Sequence, residues 1–265
     1  MSARLRHYAC GSTSHGLGAM FRDVPHEERT FPSGAFLYDG GAGRRVLFDT
    51  GYAPGRWRTG WRGAVYRRLL PPRVSDGDDI AVQLAQDGVD PASVTHVVLS
   101  HLHPDHVGGV RHFPQATFVL TDGLVRTLSH PRLRTGVLPG LLPDWFASAR
   151  RRVLDPQSFG DVAVRGARLR GVDLFADGSY VVVELPGHAD GHVGALVDGE
   201  VLLAGDAAWG HDLLAATARM RMLPRAVQHD AASYLHTAAL ISALDEAGVR
   251  VVCSHDAWQQ RELLP

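Results

Sequence analysis

Residues 100–106 of the chain read Ser100-His101-Leu102-His103-Pro104-Asp105-His106. The stretch comes at the end of 94–100, an apolar run that predicts a buried strand. Imidazole and carboxylate are borderline ligands that suit Zn²⁺. In a turn, His101 and His103 can face one point while Asp105 and His106 face another. Glycines at 108 and 109 allow tight backbone reversal beside them. The stretch therefore predicts a metal site at the end of a strand.

Three further candidate ligands each follow a predicted strand. His188 comes after 180–185, Asp206 after 201–204 and His255 after 249–253. A single histidine after a strand is more often a structural residue. Repeated placement at the ends of successive strands is how an α/β scaffold assembles a site from distant sequence. Together with 100–106, these residues strengthen the prediction of a metal site.

Composition narrows the chemistry further. The 265 residues include fifteen His, two Cys and no Lys, with a formal net charge of −1. The missing Lys excludes Schiff-base chemistry and a P-loop lysine, and two Cys cannot form a four-cysteine zinc site. The near-neutral charge predicts neither nucleic acid nor membrane as a partner. The N-terminus lacks a signal-peptide pattern, so we expect a cytoplasmic protein.

Strand patterns with one clear helix in each half predict a layered α/β fold. The helices are expected at 79–86 and 230–247, with a short helix at the C-terminus. We expect a single domain over 1–265, because no linker marks a boundary. Segments 52–78 and 124–153 do not fit the strand pattern and are predicted to be lids or interaction surfaces. A solvated basic loop and ordinary packing are the alternatives. The remaining strands are predicted at 5–10, 35–39, 45–49, 116–120, 171–175 and 193–197.

The pattern H-x-H-x-D-H with three later ligands resembles the signature of the metallo-β-lactamase superfamily, and the resemblance spans 48–255. It implies an αββα four-layer sandwich with a dinuclear metal site. Asp49, at the family's D-T-G position, is implied to support the ligands from behind, and His192 is expected to do the same. The implied ligands are His101, His103 and His188 for one metal, Asp105, His106 and His255 for the other, and Asp206 as the bridge.

The resemblance implies a metal-dependent hydrolase in which a hydroxide bridging two metals attacks the substrate. Zn²⁺ is the first expectation for both metals, although such ligand sets also accept Fe²⁺, Mn²⁺ or Co²⁺. Asp105 is the candidate catalytic residue, steering the nucleophile or passing a proton to the leaving group.

Residues 186–192 and 254–256 are similar to the P-G-H-x-x-G-H stretch and the ending of N-acyl-homoserine lactone lactonases. A lactone or ester of modest size is therefore the expected small-molecule substrate. The chain departs from that family at Trp209, where the lactonases place a tyrosine that contacts the substrate carbonyl. An indole N–H donates a hydrogen bond but is not a general acid. Either the substrate differs or another group stabilises the oxygen.

Two other functions stay open: a thioesterase of the glyoxalase II type, and a weakly catalytic metal- or ligand-binding protein on the same scaffold. The first normally carries a C-terminal helical domain, whereas this chain ends soon after His255. Besides Trp209, the candidates for substrate contact are His15, in an expected loop at 11–20, and His211. The apolar stretch 133–146 suits an acyl chain, plain packing or the interface of a homodimer.

Overall fold

The computed structural model describes residues 3–55, 59–257 and 262–264 of the chain. The strands within these ranges are β1 (Arg4–Gly16), β2 (Glu28–Asp39), β3 (Arg45–Phe48), β4 (His96–Val98), β5 (Thr117–Thr121), β6 (Arg151–Leu154), β7 (Gly160–Val164), β8 (Ala167–Asp173), β9 (Tyr180–Glu184), β10 (Val193–Val197), β11 (Val201–Gly205), β12 (Arg250–Cys253) and β13 (Glu262–Leu264). The α-helices are α1 (Leu17–Met20), α2 (Gly60–Leu69), α3 (Ile80–Gln86), α4 (Pro104–Val107), α5 (Asp122–Ser129), α6 (Leu214–Thr217), α7 (Met222–Ala226) and α8 (Ala231–Glu246).

The strands form two sheets, and apart from β13 each sheet is built from consecutive strands of the chain. The first has seven strands in the order β13-β1-β2-β3-β4-β5-β6, and the second has six in the order β12-β11-β10-β9-β8-β7. Strands β3 to β6 are parallel to one another, as are β11 and β12. Because parallel neighbours end at the same sheet edge, the loops after β3 and β4 lie side by side, and so do those after β11 and β12.

Among the described residues, three of the buried apolar clusters form stacked cores. One core lies between the sheets and joins residues such as Phe48 and Val98 of the first sheet to Val182 and Leu203 of the second. A second core packs α3 and α5 against the first sheet, and a third packs α8 against the second sheet. The layers are therefore helix, sheet, sheet and helix, which confirms the predicted αββα sandwich.

Strand β1 is longer than predicted and replaces most of the expected loop at 11–20. Its pairing with β2 shifts register between Ala9 and Ser12 and then continues to Gly16, after which α1 begins. A β-bulge of this kind bends a strand without ending it. The prediction of a short C-terminal helix is wrong for 262–264, which pair with β1 as a strand, while 258–261 lie outside the described residues.

The two segments outside the strand pattern both contain ordered structure. Segment 52–78 contains α2, with residues 56–58 outside the described part. Segment 124–153 buries Val137 and Phe146 in the first sheet's helical core, so packing accounts for these apolar residues of 133–146. Arg62 of α2 donates a 3.4 Å hydrogen bond to the carbonyl of Pro131, which joins the two segments. No helix in the described ranges is long and apolar enough to cross a membrane.

Candidate metal centre

The predicted ligands come together from loops that follow β4, β9, β11 and β12. In each of two groups, every residue offers one ligand atom, and these atoms lie within 4.8 Å of one another. The first group is His101, His103, His188 and Asp206, and the second is Asp105, His106 and His255. The chain therefore gathers all seven residues into two sets of the composition that a divalent metal binds.

In each of the five imidazoles, the ring nitrogen that points away from the other ligands is hydrogen-bonded to an oxygen atom. A ring nitrogen that faces such an acceptor carries the proton, which leaves the other nitrogen of the neutral ring with a free lone pair. The Ser100 hydroxyl serves as an acceptor because its own proton goes to Asp49. The bonds are His101 Nδ1 to Ser100 Oγ (2.9 Å), His103 Nε2 to the Thr135 carbonyl (3.0 Å), His106 Nδ1 to Asp49 Oδ2 (2.7 Å), His188 Nδ1 to Gln228 Oε1 (2.8 Å) and His255 Nδ1 to the Pro32 carbonyl (2.7 Å).

The ring nitrogens that face one another lie as close together as the ligands of one cation. His103 Nδ1 lies 2.9 Å from His101 Nε2 and 3.1 Å from His188 Nε2. Lone pairs this close repel unless a positive charge lies between them. Within the described residues, the buried atoms His106 Nε2 and Asp206 Oδ1 face each other at 3.3 Å, and neither makes a hydrogen bond of normal geometry. Buried polar atoms are rarely left so, and these residues therefore fit a bound metal.

The surroundings of the first group favour the neutral form of its three imidazoles. Burial, reinforced by the neighbouring rings of His106 and His103, lowers the pKa of His101 well below its usual value. Burial likewise lowers the pKa of His188 well below the ordinary range and lowers that of His103. A metal binds the neutral ring, so these rings need give up no proton at neutral pH.

The second group lies in a strongly negative environment. Burial acts to lower the pKa of His106, but the carboxylates of Asp206 and Asp49 outweigh it and hold that pKa well above the usual value. Asp206 has the same effect on His255 and raises its pKa to about 9 against the effect of burial. The carboxylates therefore favour positive charge at this point, as a metal site requires.

Asp49 forms hydrogen bonds with the ligand loop. Its fully buried carboxylate accepts hydrogen bonds from the Ser100 backbone N–H (2.8 Å), the Ser100 hydroxyl (2.7 Å) and His106 Nδ1 (2.7 Å). Its backbone has φ 57°, a left-handed conformation that is uncommon outside glycine and that suits a tight turn after β3. One carboxylate thus fixes both the start of the ligand loop and the orientation of His106.

His192 positions Asp206 through the backbone. Its Nδ1 donates to the Leu185 carbonyl (2.9 Å), and its Nε2 accepts from the Asp206 N–H at 3.1 Å. Gly205, at φ 58°, allows this approach, because a Cβ there would lie 2.8 Å from His192 Nε2. Burial lowers the pKa of His192 to about 4, so the ring stays neutral and its Nε2 accepts.

Three supporting residues were missed by the sequence analysis: Gln228, Thr135 and Ser33. Gln228 and Thr135 are the acceptors behind His188 and His103, and the Ser33 hydroxyl donates to the Asp105 carbonyl. Thr135 acts through its backbone, and Ser33 lies in an ordinary strand. For Gln228 the sequence offers only a weak indication of its role, namely its position two residues before Asp230, the N-cap of α8.

The three candidate substrate contacts have different surroundings. The His15 ring packs 6.0 Å from the ring of Phe31, which itself lies 6.0 Å from the ring of His255, so His15 borders the second group. Trp209 packs edge-on to Phe21 at 6.2 Å in an apolar cluster beside the ligands. His211 instead places Nε2 3.0 Å from the carboxylate of Asp245, in the last turn of α8. That contact accounts for the His211 side chain without a substrate.

Comparison with known proteins identifies the family. A model of the metallo-beta-lactamase superfamily matches residues 29–255. The chain is 30% identical to the N-acyl homoserine lactonase AttM of Azorhizobium caulinodans, over 95% of this chain and 90% of the relative. It is also 30% identical to the protein of the same name from Rhizobium johnstonii, with the same coverage of 95% and 90%.

Solved structures share the fold. An N-acyl homoserine lactone hydrolase with N-hexanoyl-L-homoserine bound at its catalytic metal centre superposes with a TM-score of 0.69 at 18% identity, covering 97% of this chain and 94% of that one. The dizinc quorum-quenching lactonase AidC gives 0.68 at 15% identity, covering 97% and 89%. The predicted resemblance to lactonases and the prediction of a metal-dependent hydrolase are both confirmed. The chain belongs to the metallo-beta-lactamase superfamily.

Proposed function

We propose that this chain hydrolyses the ester bond of an N-acyl homoserine lactone at a centre of two divalent ions, with Zn²⁺ as the first candidate. The observation that carries the proposal is the pair of adjoining ligand groups, in which five imidazoles have their free nitrogens turned inward. Similarity to proteins named lactonases, over nearly the whole chain, supports the choice of substrate.

Distances from the carboxylate of Asp206 to both groups support a role for it in each. Its Oδ2 lies 3.5 Å from His188 Nε2 and 3.1 Å from His255 Nε2, and its Oδ1 lies 3.3 Å from His106 Nε2. We assign His101, His103 and His188 to one ion, Asp105, His106 and His255 to the other, and Asp206 to both. Bound divalent ions supply Lewis acidity and a nucleophilic water near neutral pH.

Asp105 is the carboxylate proposed to act on the reacting groups. Its side chain is more exposed than that of Asp206 (14% against 5%), and its Oδ2 lies 3.7 Å from His106 Nε2. Hydrolysis joins the oxygen of water to the carbonyl carbon, breaks the ring C–O bond and leaves a proton on the freed hydroxyl. Asp105 would orient the water and pass that proton. Unchanged turnover of Asp105→Asn at full metal content would remove it from this role.

The acyl group has an apolar surface beside the second ligand group. The ring of Phe31 meets His255 edge-on at 6.0 Å, and Phe31 belongs to the same apolar cluster as Phe21, against which Trp209 packs. Met20, Val24 and Trp209 pack against this buried cluster and keep part of their surface accessible. We assign that partly exposed edge to the acyl chain, because an apolar chain gains about 0.8 kcal/mol for each methylene that it buries. Trp209 would then contact the substrate through apolar surface.

The test is hydrolysis of acyl homoserine lactones with short and long acyl chains by the zinc-loaded protein, measured as acid release with and without chelator. We expect chelator-sensitive ring opening. An acyl thioester and 4-nitrophenyl acetate are assayed in parallel. Faster cleavage of the thioester would favour the glyoxalase II-type alternative. Metal binding without turnover of any of these compounds would favour the weakly catalytic binding protein.

A further inference from the structure

Three stretches of the chain contain arginines but no acidic residue. Residues 50–75, 123–143 and 213–229 together hold twelve of the 27 arginines and none of the 28 acidic residues. The rest of the chain holds the other fifteen arginines and every acidic residue. The formal net charge of −1 is therefore the average of a set of basic segments and an acidic remainder. A local excess of positive charge attracts anionic partners even when the chain as a whole is not basic.

Two helices in these stretches carry most of the exposed apolar side chains. Among the described residues, nine large apolar side chains are exposed, and seven of them lie on α2 or α7 or directly after one of these helices. The seven are Trp61, Val65, Leu69, Leu70, Met222, Leu223 and Val227. Exposed apolar residues are ordinary when they are scattered, whereas a concentration of them marks an interaction surface.

On α2 the exposed apolar residues form one stripe. Trp61, Val65 and Leu69 are spaced four residues apart, so they lie along the same face of the helix. Trp61 is 64% exposed and Leu69 is 70% exposed. At 100° per residue, Arg62 and Arg68 lie on either side of this stripe. The Arg62 guanidinium is 5.8 Å from the centroid of the Trp61 ring. The face therefore combines an apolar centre with cationic edges.

The exposed face of α7 has the same composition. Met222 and Leu223 are 79% and 77% exposed, and Val227, directly after the helix, is 59% exposed. The exposed arginines of this segment are Arg219, Arg221 and Arg225. Apolar side chains among arginines thus occur on two separate elements of the chain.

Hydrogen bonds attach both helices to the same edge of the metal centre. Gln228 accepts from His188 through Oε1 and donates through Nε2 to a backbone carbonyl of α7 at 3.0 Å. On the other side, α2 donates to the carbonyl of Pro131, four residues before Thr135, whose carbonyl accepts from His103. His188 Nε2 and His103 Nδ1 are 3.1 Å apart. The two exposed faces therefore belong to segments on either side of this pair of imidazoles.

An anionic lipid bilayer is the partner that suits both properties of these faces. Arginines are attracted to its charged headgroups, while apolar side chains gain by entering the boundary between headgroups and acyl chains. Tryptophan is a side chain that favours this boundary. A nucleic acid backbone would satisfy the arginines but not the aliphatic side chains. A second copy of the chain, joined symmetrically through this surface, would bring like charges together.

We propose that the exposed faces of α2 and α7 form one docking surface for an anionic membrane, on which Trp61, Leu69, Met222 and Leu223 enter the headgroup boundary. Such docking goes beyond the proposed hydrolysis and does not depend on it.

The docking surface adjoins the edge that is assigned to the acyl chain. The Arg221 N–H, at the start of α7, donates to the Met20 carbonyl at 2.8 Å. A substrate held in the bilayer by its acyl chain would thus meet the protein beside Met20. This route for the substrate rests on the proposed function, whereas binding to the membrane does not.

The test is co-sedimentation of the zinc-loaded full chain with lipid vesicles. One set of vesicles is phosphatidylcholine alone, and the other is an equal mixture of phosphatidylcholine and phosphatidylglycerol. We expect the chain to bind the anionic vesicles at least about tenfold more tightly, because each arginine near the surface adds to the attraction. Raising the salt concentration should weaken that binding, since salt screens exposed charges.

Apolar variants test the insertion of side chains. The two double variants are Trp61→Ser with Leu69→Ser, and Met222→Ser with Leu223→Ser. Each should weaken binding to anionic vesicles at least about tenfold, because binding scales with the apolar area that enters the boundary. The matched control is Val82→Ser with Val153→Ser, the two large apolar residues that are exposed elsewhere among the described residues. It should bind as wild type does.

Charge variants test the same surface independently. Arg68→Gln with Arg225→Gln should weaken binding about 30-fold, the effect expected from two arginines near an anionic surface. Arg165→Gln with Arg168→Gln is the control, because these exposed arginines lie at the turn between β7 and β8 and outside the acid-free stretches. All variants should keep the wild-type unfolding midpoint, since the replaced side chains are exposed. Should an apolar variant fail to fold, the charge variants decide.

Several results would overturn the proposal. These are absence of vesicle binding, equal binding to neutral and anionic vesicles, and equal losses in test and control variants. Light scattering that finds a dimer, which the apolar variants convert to a monomer, would assign the surface to a second copy of the chain. Tighter binding to a DNA oligonucleotide than to vesicles would assign it to nucleic acid. Sedimentation measures binding and not turnover, so failure of lactone hydrolysis would leave each of these outcomes readable.

Discussion

The backbone carbonyl of Thr135 accepts a 3.0 Å hydrogen bond from Nε2 of His103, although the two residues are 32 positions apart in the chain. The next residue, Gly136, has φ 66°, and a Cβ there would lie 2.7 Å from Cδ2 and Nε2 of His103. Segment 124–153 therefore packs against the imidazole of His103 and fixes which of its nitrogens carries the proton.

Gly136→Ala should disturb the centre through His103. The added methyl group cannot fit beside the ring, so we expect His103 to shift and metal affinity to fall at least about tenfold. Gly199→Ala is the matched control, because Gly199 has nearly the same backbone angle, φ 68°, but open space around it. Both variants should lose about 1 kcal/mol of unfolding free energy from the left-handed backbone. Competition with a chromogenic chelator measures the affinities, and equal values for the two variants would contradict this account.

Gln228→Ala should weaken metal binding without removing a ligand. Gln228 Oε1 accepts from His188 Nδ1 at 2.8 Å, and losing such an acceptor typically costs 10-fold to 100-fold in metal affinity. Gln228→Glu keeps an acceptor oxygen at the same distance from the backbone and should retain most of the affinity. Chelator competition on both variants, with unfolding midpoints recorded alongside, tests the assignment. It fails if alanine and glutamate behave alike.

His255→Ala and His211→Ala form a second matched pair. Both histidines follow strands of the second sheet, but only His255 offers its nitrogen to a ligand group, while His211 contacts Asp245. Elemental analysis should find one metal fewer in His255→Ala and the wild-type content in His211→Ala. Chelation of wild type should lower its unfolding midpoint, because a ligand present at 100 times its Kd contributes about 2.7 kcal/mol. Equal metal content in the two variants would refute the ligand set.

Asp79 should make stability depend on pH in the acid range. Its carboxylate caps α3 through the Ala81 N–H (2.9 Å) and accepts from His112 (2.9 Å) and Arg111 (3.2 Å). Burial acts to raise the pKa of Asp79, but these bonds outweigh it and lower the pKa below the usual value. Stabilisation is therefore present above the unfolded-state pKa of about 4 and is lost as pH falls through the lower folded-state value.

Asp79→Asn should accordingly lower the unfolding free energy by about 1 to 2 kcal/mol at pH 7, because the Arg111 guanidinium and the His112 ring lose their charged acceptor. The difference from wild type should shrink below about pH 4. Urea unfolding from pH 7 to pH 3 in the presence of chelator measures both values without a contribution from metal loss. Asp90→Asn, at another helical cap, is the control and should cost only a few tenths of a kcal/mol at pH 7. A constant difference across the range would contradict the effect of Asp79.

The sequence predicted the layers and the ligand positions because both have local patterns. Continuous apolar runs mark strands such as 193–197, which the structure has with the same bounds, and the Asp230 cap marks the start of α8. The ends of the strands and helices were predicted less accurately. Strand β1 runs past its apolar stretch because pairing with β2 continues beyond the bulge, and that depends on a partner strand rather than on β1 itself.

By itself, then, the sequence determined which residues can bind metal, because imidazoles and carboxylates at strand ends carry their chemistry in their identity and spacing. Only the tertiary structure decided what supports them. The acceptors at Thr135 and Gln228 join segments that are distant in the chain. A hydrogen bond needs two atoms about 3 Å apart, and no local pattern records which distant atoms the folded chain brings to that distance.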